Sequence, residues 1–64
     1  MIILGVSAFF HDSSAAILKD SILIAAAEEE RFTRKKHDQS FPFKAIQYCL
    51  KEASISMNQV DAIA

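Results

Sequence analysis

The stretch at residues 7–30, "SAFFHDSSAAILKDSILIAAAEEE", decides the fold. It holds two apolar runs, 14–19 and 22–28, on either side of Lys19-Asp20-Ser21. An Asp at the first tip position marks a two-residue hairpin turn, although Ser21 stands where Gly would make that turn easier. Upstream, "IILGVSAF" at residues 2–9 is a continuous apolar run with β-branched residues. It suits a strand buried on both faces, with Gly5 admitting a close neighbour. Three antiparallel strands, at about 2–9, 14–19 and 22–28, therefore form a meander. Ala15, Ala16, Ala25, Ala26 and Ala27 are poor strand formers, so a helix through 22–30 competes with the third strand.

Residues 31–41 are polar, basic and irregular, ending at Phe41-Pro42. Pro is favoured at a first helical position, because its missing N–H would be unpaired there anyway. Beyond it, Phe43, Ile46, Leu50 and Ala53 recur at helical spacing, with Lys44, Gln47 and Lys51 elsewhere on the wheel. The spacing predicts a helix over about 42–54. Its stop is weakly encoded, since Ser54 stands where a helix usually ends on Gly. A short turn from Ser56 to Asp61 leads into "DAIA", the start of a fourth strand. The fold class is α/β, an antiparallel three-stranded meander followed by a helix and a fourth strand. That order opens the ribonuclease-H-like fold of actin and the sugar kinases, whose first hairpin approaches ligand phosphates. A fold by itself carries no activity.

A chain of 64 residues buries only about 60% of its unfolded surface and is marginally stable alone. Its 52% hydrophobic against 23% charged residues nevertheless describe a packed interior and exclude disorder. The combination predicts part of a larger protein, or a subunit that needs a neighbour. Standing alone, it would expose a sheet edge and be open to self-association. Cys49 has no cysteine partner, and the amino terminus lacks the basic flank of an export signal, so a reducing, cytoplasmic setting is expected. Apolar runs of about ten residues fall far short of the roughly 20 that span a bilayer, and no membrane partner is expected. The net charge of −1 gives no global pull towards nucleic acid. Glu28-Glu29-Glu30 is followed by Arg31, Arg34, Lys35 and Lys36, and the two blocks nearly cancel, as on a solvated surface. With a single aromatic, Phe32, among them, no nucleic-acid partner is expected either.

The turn "FHDSS" carries more chemistry than a turn requires. Successive backbone N–H groups at a strand end can form an anion-binding concavity. Ser13 and Ser14 add hydroxyl donors, His11 can shuttle a proton near neutral pH, and Asp12 can orient an imidazole or bind a substrate hydroxyl. The plain alternative is a polar turn in which Asp12 bonds the local backbone, since His-Asp-Ser in sequence is not a triad by geometry. In "EEERFTRKKHDQSFP" the basic residues can meet phosphates, and His37 adds a second titratable group. There the plain alternative is a solvent loop with salt bridges worth little each. Cys49 reads as a small buried residue. His11 and His37, without Cys or His at metal spacing, define no metal site.

Taken together, "ILGVSAFFHDSSAAILKDSILIAAAEEERFTRKKHDQSFPFKAIQYCLKEASI" strongly resembles the amino terminus of the NodU/CmcH family of O-carbamoyltransferases. HDSSAA, EEERF, KH and FPFKAI fall in the family's order and spacing, while Ser21 and Ser54 stand where the family usually has Gly. The resemblance implies an actin-like transferase domain joined, in the whole enzyme, to a YrdC-like domain. The latter makes carbamoyl-adenylate from carbamoyl phosphate and ATP, and the former passes the carbamoyl group to a hydroxyl of a small-molecule acceptor. It also implies a divalent metal whose His ligands lie downstream, so that these 64 residues alone would bind neither metal nor ATP and would be inactive. By the same resemblance His11 and Asp12 are catalytic. Ser13, Arg31, Lys36 and His37 line the same cleft and bind substrate or nucleotide. A non-catalytic ATP-binding or assembly module of the same fold is the alternative reading.

Overall fold

Strands β1 (Ile2–Ser7), β2 (Ser14–Lys19) and β3 (Ile22–Glu28) form the expected antiparallel meander in the computed structural model, which describes residues 1–9 and 12–64. β1 is shorter than the expected 2–9: its pairing ends at Ser7 opposite Ser14, and Phe9 turns its N–H to the Gln39 carbonyl. The alanine-rich segment is strand, with Ala25, Ala26 and Ala27 opposite Ile17, Ala16 and Ala15. Ile24 is an extra residue in β3, where the register slips between Ile17 and Leu18. At the hairpin tip Asp20 and Ser21 have φ of 51° and 69°. Both are left-handed, as the tight hairpin turn demands. A Ser there costs roughly 1 kcal/mol that Gly would not, and the Met1 ammonium holds the tip by pairing with Asp20.

The chain then makes a one-turn helix α1 (Glu30–Thr33), an irregular loop, helix α2 (Phe43–Glu52) and a 3₁₀ turn at Met57–Gln59. It ends in strand β4 (Ala62–Ile63), parallel to β1, with Ile3 opposite Ala62 and Leu4 opposite Ile63. The result is a mixed sheet in the order β3-β2-β1-β4. α1 lies where an irregular segment was expected, and α2 starts one residue after Pro42 and stops before the expected residue 54. Ser54 has φ 57°, and Ile55 N–H reaches back to the Leu50 carbonyl. This is a left-handed helix stop built without glycine.

α2 packs over β2 and β3. The buried core is Leu4, Ala15, Ile17, Ala45 and Cys49, none more than 3% exposed. The helix face turned inward is therefore centred on Ala45 and Cys49, while Phe43, expected on that face, is 66% exposed. Small residues on the helix meet Ala15, Ala25 and Ala27 on the strands. Small-on-small packing lets the helix approach closely and accounts for alanines in a sheet they do not intrinsically favour. Burial pushes the Cys49 thiol pKa up, and the thiol points at the Ala15 carbonyl at 3.5 Å. Among the described residues no helix is long and apolar enough to cross a membrane.

The loop before α2 is organised by Asp38, which is only 3% exposed. Its carboxylate accepts from the Thr33 hydroxyl at 2.7 Å, and from the N–H and hydroxyl of Ser40. These bonds to the charged form hold its pKa at about 2, against an ordinary 3.8. A group whose folded pKa is depressed adds stability that is complete above the unfolded pKa and is lost as pH falls towards the folded one. The denaturant midpoint should therefore fall between pH 3.8 and about 2. Asp38→Asn should lower the midpoint at neutral pH and flatten that acid limb. Parallel acid limbs in parent and variant would show that Asp38 is not responsible.

Candidate functional site

Three segments converge beyond the ends of β1 and β3: the turn residues Asp12 and Ser13, helix α1, and the loop at 34–40. Backbone bonds lock them together. Ser13 donates its N–H to the Asp38 carbonyl and accepts from Glu29 N–H, both at 2.8 Å. Arg34, with φ 62°, ends α1 by donating to the Glu30 carbonyl. His37 is also left-handed, at φ 54°. Its side chain thereby leaves the loop towards Asp12 while its N–H donates to Glu30 Oε1 at 2.7 Å.

Asp12, Glu30 and His37 form one cluster, with a ligand-type atom from each lying within 4.8 Å of the others. The His37 Nδ1 to Asp12 Oδ1 distance is 2.8 Å. The hydrogen bond and charge of Asp12 raise the imidazole pKa above its ordinary 6.5, and Glu30 and Glu28 add smaller pushes the same way. His37 thus holds its proton more tightly than a free histidine would.

A basic cleft adjoins this cluster. Glu30, Arg31, Arg34 and Lys36 line a concavity of about 510 Å³. A second concavity runs from Glu30 and Arg31 across Ala16 and Ala26 to Ser14 and Glu28. Arg31 is positioned by the helix behind it, with its guanidinium carbon 5.1 Å from the Tyr48 ring centre and 5.9 Å from that of Phe32. A guanidinium stacked on aromatic faces keeps its charge and its fork of N–H donors available to an anion.

The expected residues sort accordingly. Asp12 and His37 meet each other, and Arg31 and Lys36 share the basic cleft. Ser13 is placed inside, 1% exposed, its hydroxyl without a hydrogen-bond partner among the described residues. His11 lies outside the described residues. Two members of the site were not singled out from sequence. Arg34 follows Arg31 by three residues, a same-face spacing on a helix that could have flagged it. Glu30 had no such signal, because nothing in "EEE" distinguishes its three carboxylates. Glu29 is scaffold: it is 3% exposed and accepts from Ala45 N–H at 2.8 Å and Lys44 N–H at 3.3 Å, capping α2.

A family model described as carbamoyltransferase N-terminus matches residues 2–64. A Synechocystis sp. relative, "Uncharacterized protein sll1178", is 62% identical over 61 residues, which are 95% of this chain and 10% of the relative. Nodulation protein NolNO of Sinorhizobium fredii is 45% identical over 56 residues, covering 88% of this chain and 8% of that protein. A Methanocaldococcus jannaschii protein is 45% identical over 42 residues, 66% of this chain and 8% of its own length. The chain thus spans about a tenth or less of each of these relatives.

Proposed function

This chain belongs to the carbamoyltransferase N-terminus family, and we propose on that premise that the protein it belongs to makes O-carbamoyl compounds. Water cleaves carbamoyl phosphate to carbamate and phosphate. The carbamate oxygen attacks the α-phosphorus of ATP to give carbamoyl-adenylate with release of pyrophosphate, and the carbamoyl group passes to a hydroxyl of a small-molecule acceptor. The observation that carries this reading is the pairing of a cationic cleft with a carboxylate–imidazole cluster at one end of the sheet. The strand order β3-β2-β1-β4, with β4 parallel to β1, supports reading the fold as the opening of a ribonuclease-H-like, actin-like domain.

In the transfer step the acceptor oxygen bonds to the carbamoyl carbon, and the bond from that carbon to the phosphate oxygen breaks. AMP leaves with the electron pair. His11 takes the proton from the acceptor hydroxyl. Arg31 and Lys36, joined by Arg34, hold the phosphate and offset the charge it gains, as charge-assisted hydrogen bonds do best. Asp12, tied to His37, fixes the turn against the 34–40 loop, and Ser13 anchors it from inside.

The test is the full-length protein given labelled carbamoyl phosphate, ATP and a panel of hydroxylated acceptors. ATP-dependent label in an acceptor, with AMP released in equal amount, is expected. ATP binding without transfer to any acceptor would replace this reading by that of a non-catalytic nucleotide-binding module.

A further inference from the structure

We infer that Asp12, Glu30 and His37 bind a divalent transition-metal ion of the Zn²⁺ type beside the basic cleft. This goes beyond carbamoyl transfer, and it departs from the resemblance, which put the metal ligands downstream of these residues. Three donors come from three separate segments, with their ligand-type atoms all within 4.8 Å of one another. They are not adventitious neighbours on one helix. Asp12 is set by the Ser13 and Asp38 backbone bond, Glu30 by its place in α1, and His37 by its own N–H on Glu30. No other such group occurs among the described residues.

The donor set selects the ion. One imidazole nitrogen with two carboxylate oxygens suits a borderline cation better than Mg²⁺ or Ca²⁺, which take oxygen alone. Across such a site affinity rises from Mn²⁺ to Cu²⁺ and falls again at Zn²⁺, the ion that tetrahedral geometry favours. Bonds of about 2.0–2.1 Å place tetrahedral ligands about 3.3 Å apart. The Asp12–His37 pair, at 2.8 Å, opens by only about half an ångström to admit the ion. Glu30, already bonded to the His37 backbone, closes the third side. Three protein ligands leave a fourth position open, as in sites that bind or activate an exchangeable ligand. Since Glu30 also lines the basic cleft, an anion held by Arg31, Arg34 and Lys36 would lie next to that ion.

The test is metal content. The full-length protein is stripped with chelator and titrated with Zn²⁺ against a chromophoric competitor. Asp12→Asn, Glu30→Gln and His37→Gln should each lose one equivalent, or bind it more than ~10-fold more weakly, while Arg34→Gln keeps it. In the unsubstituted protein, Zn²⁺ should protect His37 from diethyl pyrocarbonate, read by peptide mass spectrometry, which decides the matter even if a variant misfolds. Full stoichiometry in all three ligand variants, or a His37 that Zn²⁺ leaves unprotected, overturns the site. Because neither readout is activity, a protein that transfers no carbamoyl group decides it equally well.

Discussion

Glu29→Ala lowers folding stability by about 2–4 kcal/mol, most of what a unit of this size has to lose. The carboxylate is buried and sits at the amino end of α2, where it accepts from Ala45 and Lys44 N–H. Pro42, the residue before α2, contributes no side-chain cap, so Glu29 supplies it from 16 positions upstream of Ala45. Capping residues of this kind contribute roughly 0.5–2 kcal/mol, and a charged acceptor at the positive end of the helix dipole adds to that. Removing it also strands the Ala45 N–H in the core, a desolvation penalty of about 1–3 kcal/mol. The same bonds dock α2 on the end of β3, so unfolding should lose cooperativity as well. Glu29→Gln keeps an amide oxygen for Ala45 and should lose about 1 kcal/mol. Equilibrium urea unfolding checks both, and a Glu29→Ala variant within about 0.5 kcal/mol of the parent would refute the cap.

That cap also shows where sequence reading stops. The meander was legible because its evidence is local: two apolar runs, a turn pair at Asp20-Ser21, and β-branched residues in β1. Helix α2 was legible from its period, and "DAIA" from a return to apolar residues near the chain end. Which glutamate of Glu28-Glu29-Glu30 turns inward was not, because the chain changes there from strand to helix and loses the alternation that would phase it. Phe43 was placed on the wrong side for a related reason. Helical spacing finds an apolar stripe, but the alanines of β2 and β3 decide that Ala45 and Cys49 fit against them. The candidate site was legible by residue type and not by partner. Asp12 and His37 stand 25 positions apart, and the backbone bonds from Phe9 to Gln39 and from Ser13 to Asp38 bring their segments together.

His11→Asn should lower kcat for carbamoyl transfer by about 10²–10⁴-fold and leave the KM for carbamoyl phosphate almost unchanged. A hydroxyl nucleophile needs a base in the transition state, and this chain has two histidines to offer. His37 is bonded to Asp12, whose hydrogen bond and charge raise its pKa and make it the weaker candidate for a general base. It is also committed to the cluster with Glu30. Under the proposed function, His11 is the histidine of this chain assigned to proton transfer. Arg31 presents the opposite case, since its guanidinium stands on the Tyr48 face and lines the cleft without a proton to give. Arg31→Gln removes a charge-assisted contact worth about 1.5–3 kcal/mol. It should therefore raise KM for the phosphate-bearing substrate by roughly 10- to 100-fold, with a smaller effect on kcat. Steady-state kinetics of the two variants separates the roles. A His11→Asn enzyme that keeps kcat within about threefold of the parent would move the base to a residue outside this chain. An Arg31→Gln enzyme with unchanged KM would remove the basic cleft from substrate binding.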